Sequence, residues 1–91
     1  MQEQRRLPRQ RVLKGAIIFF NQERSSVDCV VRNLTTTGAR LALESTNFVP
    51  DRFDLLIKQE HQLYPAELVW RGAKDIGIRF TGAPRKLPAQ P

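Results

Sequence analysis

The chain has 91 residues, 41% of them hydrophobic, which is enough for one compact core and not two. Fifteen Lys and Arg against nine Asp and Glu give a formal charge of +6, a balance that suits an anionic partner such as a nucleotide, a nucleic acid or a membrane surface. One cysteine, Cys29, excludes an internal disulfide and fits a reducing compartment; one Cys and one His, Cys29 and His61, cannot build a metal site. No apolar run reaches the length of a signal peptide or a membrane span, so the expected location is the cytoplasm.

The charge is unevenly placed. Arg5, Arg6, Arg9, Arg11 and Lys14 crowd one end, with no acidic residue between Glu3 and Glu23. Residues 1–11 read as a polar, Arg-rich arm, which Pro8 keeps extended at Leu7 and which is expected to be mobile without a ligand. From Val12 the pattern becomes that of strands. Val12–Phe20 is β-branched and aromatic, and a polar turn follows. Ser26–Leu34 places Val27, Cys29 and Val31 on one face and Asp28, Val30 and Arg32 on the other. Asn33–Gly38 is a turn. Ala39–Leu43 resumes the alternation, with Ala39, Leu41 and Leu43 inward and Arg40 outward.

Glu44–Asp51 is a loop, and Phe53–Lys58 is the fourth strand. Leu63–Arg71 is the fifth, with Pro65 best placed at an edge or a bulge. Ile76–Phe80 is the last, turning Ile76, Ile78 and Phe80 to one face, and Gly82–Pro91 reads as a frayed tail. Six short strands without a helix predict an all-β antiparallel barrel over residues 12–81, closed so that it presents no edges.

Two segments carry the chemistry. Arg5-Arg6-Leu7-Pro8-Arg9 has R-x-x-x-R spacing, and Asn33-Leu34-Thr35-Thr36-Thr37-Gly38 has N-x-T-x-x-G spacing between the second and third strands. Together, in this order, they resemble the two-part signature of PilZ domains, R-x-x-x-R in an N-terminal arm and Asp/Asn-x-Ser-x-x-Gly in the turn after the second strand. Val69-Trp70-Arg71 and Gly77-Ile78-Arg79-Phe80 look like that family's last two strands, so the resemblance runs from Arg5 to Phe80. It implies a six-stranded barrel, not an enzyme, that binds the bacterial second messenger cyclic di-GMP without a further cofactor and reports it to a protein partner in motility or exopolysaccharide regulation.

Guanidinium forks match phosphate oxygens and the O6/N7 edge of guanine, which supports that ligand independently. Arg5 and Arg9 match the family's two arginines, with Arg6 and Arg11 as additional phosphate contacts. If Arg11 is instead the second motif arginine, Leu7 stands at the first position and the spacing fails. Asn33 offers a carbonyl to guanine N–H groups, and Thr35 puts a hydroxyl where the family has serine. Gly38 suits a turn of positive φ or a backbone brought close to the ligand, and Thr37 is a further candidate contact. Trp70 is a candidate to stack on guanine, although core or partly buried packing is the commoner role for such a residue. Cys29 reads as inert core, and Lys58, Glu60, His61 and Lys74 as solvated surface.

Two other readings compete. One is a PilZ-type adaptor that acts through protein contacts without nucleotide, a reading favoured by threonine at position 35. The other is a small nucleic-acid-binding barrel, for which the charge is suitable but the exposed aromatic platform is missing, because the five Phe fall mostly on core-like positions. No nucleophile, base and orienter set and no phosphate-cradling Gly-rich loop stands in the sequence.

Overall fold

A computed structural model describes residues 10–22 and 24–86. Seven strands follow in chain order: β1 (Gln10–Phe20), β2 (Ser25–Leu34), β3 (Gly38–Ala42), β4 (Arg52–Ile57), β5 (Gln62–Arg71), β6 (Asp75–Phe80) and the two-residue β7 (Arg85–Lys86). There is no helix among the described residues. The sheet runs β4-β1-β2-β3-β6-β5, every pairing is antiparallel, and β4 pairs with β5 to close a six-stranded barrel. The expected all-β barrel is the observed one.

The alternation read from the sequence builds the core. Ile18 on β1, Val31 on β2, Leu41 on β3, Leu55 and Ile57 on β4 and Ile76 on β6 are fully enclosed. Cys29 joins them; burial, with Asp28 adding to it, pushes its thiol up to about 12, so it stays a neutral packing group. The β1–β2 turn places Asn21 and Gln22 at φ 58°, the left-handed geometry a tight hairpin needs. Pro65 lies in β5 opposite Asp54, and its carbonyl accepts from Thr81 N–H at 2.8 Å. N–H and C=O of one strand residue face the same side, so the missing donor faces Thr81, away from the β4 ladder. There the partner of β5 changes from β6, last paired at Ala66, to β7, first paired at Leu63.

Three features differ from expectation. β1 begins at Gln10 rather than Val12, because Gln10 and Arg11 pair with Leu34 and Asn33 of β2. Arg85 and Lys86, expected in a frayed tail, form β7 against Leu63 and Gln62. The third is a bulge in β5 between Leu68 and Trp70, which reverses the facing of everything after it. Trp70 consequently turns outward and is partly buried, 45% exposed, with its indole over Gly77. Arg71 reaches the β3–β4 loop, where its guanidinium donates to the carbonyls of Thr46 and of Val49, the latter at 2.9 Å. Buried Thr46 adds a hydroxyl bond to Gly72 O at 2.6 Å, and Leu68 N–H reaches Asp51 O at 2.8 Å. Four bonds therefore strap this loop to β5 and to Gly72 just beyond it, while Phe48 in the loop faces solvent at 72% exposure.

Candidate functional site

The bend between β2 and β3 is held from inside. Thr35 N–H donates to Gly38 O at 2.9 Å. The Thr35 hydroxyl accepts from Gly38 N–H at 3.1 Å and from Thr37 N–H at 3.2 Å, and lies 3.2 Å from Gly38 O, to which it donates. A hydroxyl has one donor and two acceptor sites, so these bonds use its full capacity. Thr35 therefore makes the bend rigid rather than presenting a spare hydroxyl. The exposed Thr37 hydroxyl stands 3.3 Å from it.

Gly38 is required here for a reason other than the positive φ expected of it. Its φ is not positive, and the backbone it comes close to is the protein's own. A Cβ there would stand 2.3 Å from the Ile78 carbonyl oxygen on β6. Phe80 N–H also bonds Thr37 O at 2.8 Å. The bend is thus clamped down on β6.

Half-buried Asn33 heads the bend and pairs with Arg11 on β1 and with Arg40 on β3. The register continues: Arg40 pairs with Gly77 on β6, and Gly77 with Trp70 on β5. Arg11, Asn33, Arg40, Gly77 and Trp70 form one cross-strand row around the barrel. At about 4.8 Å per strand the row is roughly 19 Å long. Gly77 lets the indole lie flat, since a Cβ would be 2.1 Å from Trp70 Nε1. Beside Asn33 a second bulge makes Arg32 an extra, exposed residue on β2.

The cations near this row divide by partner. Arg40 Nε and Nη2 both lie 2.9 Å from Asp75 Oδ2, which fixes the guanidinium on the outer face while half its surface remains exposed. Arg79 is paired with Glu67. Lys14, grouped by sequence with the arm's cations, is bound to Glu60 at 2.9 Å and belongs to the barrel. Glu60 is accordingly half-buried and bonded, not the solvated residue expected. Arg5, Arg6 and Arg9 lie outside the described residues.

The structure thus pairs Arg11 with Asn33, sets Asn33 and Trp70 in one cross-strand row, and gathers Thr35, Thr37 and Gly38 in the bend that Asn33 heads. Sequence reading missed Arg32 and Arg40 as neighbours of Asn33. The outward facing of Arg40 was legible, and its pairing with Asn33 follows once the turn between them is known.

No curated protein matches the chain at a significant level. A family model, the PilZ domain, matches residues 3–89, which takes in the Arg-rich segment, the bend and every strand. PilZ domains are binding modules, generally receptors for cyclic di-GMP. With one barrel of six antiparallel strands and a match over nearly its whole length, the chain belongs to the PilZ domain family.

Proposed function

We propose that this chain is a cyclic di-GMP receptor that binds the dinucleotide over the Asn33–Trp70 row and signals to a protein partner in the cytoplasm. The observation that carries the reading is the pairing of Arg11 with Asn33, which roots the arginine segment at the bend. Adjacent Cα atoms are about 3.8 Å apart and an extended chain covers at most ~3.6 Å per residue. Arg9 is thus one step from Gln10, and Arg5 has a reach of roughly 18 Å, about the length of the row. Both family arginines are within range of a ligand lying on it.

Each group then has a distinct task. Arg5 and Arg9 supply forks for phosphate and guanine edges, and Arg6 and Arg11 supply further phosphate contacts. Asn33 reads guanine N–H groups through its carbonyl. Thr35 and Gly38 serve by holding the bend, and Thr37 offers the exposed hydroxyl. Trp70, flat over Gly77, is a stacking surface for a purine. The arginines closing over the ligand create the surface that a partner reads.

Calorimetric titration of cyclic di-GMP into wild type and Arg9→Ala tests this. Saturable wild-type binding, weakened at least about tenfold by the substitution, is expected, since one charge-assisted contact is worth on the order of 1.5–3 kcal/mol. Equal affinities would remove Arg9 from the site. The full commitment of the Thr35 hydroxyl also suits a second reading, an adaptor with the same barrel that has no nucleotide. A folded chain that gives no heat with the dinucleotide would favour that adaptor.

A further inference from the structure

The first half of β1 carries the root of the arginine segment, yet its support is incomplete. β1 pairs with β4 only from Ala16 to Phe19. From Gln10 to Gly15 its one strand partner among the described residues is β2, and that ladder is irregular between Arg11 and Lys14. A ribbon with a disrupted ladder is weakly fixed by its own bonds.

The β4–β5 turn stands where β4 no longer reaches. Its Lys58 N–H donates to Gly15 O at 3.1 Å, and its Glu60 carboxylate takes the Lys14 ammonium at 2.9 Å. Glu60 is itself held. The turn closes through Glu60 N–H and His61 N–H on Ile57 O at 3.0 and 3.1 Å, with His61 at φ 54°. The Tyr64 hydroxyl donates to the other Glu60 oxygen at 2.9 Å, and the Tyr64 ring packs on Phe80 with centroids 4.7 Å apart. A continuous chain of contacts therefore runs from Phe80 through Tyr64 and Glu60 to Lys14, three residues from Arg11.

We infer that Glu60 is a positioning residue for ligand binding: it touches no ligand, but clasps Lys14 and so sets where the arginine segment leaves the barrel. The inference rests on the proposed ligand reading. It accounts for a carboxylate on a turn being gripped from two sides, which a solvated turn residue does not need.

The test uses the full chain with Glu60→Gln, Tyr64→Phe and the exchanged pair Lys14→Glu/Glu60→Lys. Loss of a part-buried ion pair is expected to weaken cyclic di-GMP binding about five-fold in Glu60→Gln. Tyr64→Phe should weaken it less, and the exchanged pair should recover most of the loss. Amide hydrogen exchange at Val12–Lys14 should quicken in Glu60→Gln while Leu41 and Ile76 in the core keep their protection. Wild-type affinity together with wild-type exchange in Glu60→Gln would overturn the inference. So would an affinity loss that the exchanged pair fails to restore. If wild type itself does not bind, the ligand reading and the positioning role fall together, and the exchange data alone decide whether the clasp holds the strand.

Discussion

Replacing Gly77 by alanine tests how Trp70 is held. The added Cβ would stand 2.1, 2.4 and 2.7 Å from Nε1, Cε2 and Cδ1 of the indole. Ordinary carbon contacts are about 3.5–4.0 Å, so the ring must lift by roughly 1.5 Å or swing away. Trp70 is 45% exposed, so slightly more than half of its roughly 250 Å² is now covered. If half of that cover is lost, about 70 Å² returns to water at ~25 cal/mol per Å², near 1.7 kcal/mol. Alanine recovers about 0.4–1 kcal/mol by restricting the unfolded chain. The net cost is about 1 kcal/mol, a fall of roughly 4–8 °C in Tm for a domain of this size. The chain has a single tryptophan, so its fluorescence reports the same event directly, with a red-shifted emission expected for Gly77→Ala. Unchanged emission and unchanged Tm would refute the packing of indole on glycine, and with it the flat stacking surface assigned to the ligand.

Gly38→Ala should be costlier, about 2–4 kcal/mol by urea denaturation, because the Cβ meets the Ile78 backbone oxygen at 2.3 Å and neither strand has a flexible end to move. A loss below about 0.5 kcal/mol would show that the bend is not clamped on β6. Thr35→Ser should keep stability within about 0.5 kcal/mol, whereas Thr35→Val, which leaves two N–H groups without their acceptor, should cost about 1–2 kcal/mol; equal behaviour of the two would contradict the hydroxyl's bracing role. The clasp also predicts a pH window. The hydrogen bond from Lys14, with help from Tyr64 and the Lys14 charge, holds Glu60 below its ordinary 4.5, so its contribution is complete above 4.5 and is lost as pH falls through the folded value. Burial and the Glu60 contact push Tyr64 up to about 12, so its contribution is complete below 10 and is lost as pH rises towards 12. Stability measured against pH should show Glu60→Gln losing less than wild type below pH 4.5; parallel curves would deny Glu60 a folded-state partner.

Most of the barrel was legible because its strands alternate cleanly. Val27, Cys29 and Val31, or Phe53, Leu55 and Ile57, can be buried together in only one register. What could not be read are the places where one extra residue breaks that period. The β5 bulge leaves no mark in Leu68-Val69-Trp70, since all three are good strand formers, yet it decides that Trp70 faces water and that Arg71 reaches the carbonyls of Thr46 and Val49. Glu60 looked like a polar turn residue because its partner, Lys14, is 46 positions away. The start of β1 was misplaced for a related reason: Gln10 and Arg11 are strand residues by virtue of what they pair with rather than by propensity. In the bend, the motif residues were found by spacing, but the division of labour among them was not. Only the geometry shows that the Thr35 hydroxyl is spent within the bend and that Gly38 lies against the Ile78 backbone.

The most direct test of the account is residue-resolved: amide and indole NMR resonances of the intact chain, followed as cyclic di-GMP is added. The account predicts saturable shifts concentrated at Arg11, Asn33–Gly38, Arg40 and the Trp70 indole N–H, with Phe19–Gln22 at the far end of β1 unmoved. Saturable shifts gathered at that far end, or a spectrum that does not change at millimolar dinucleotide, would contradict it.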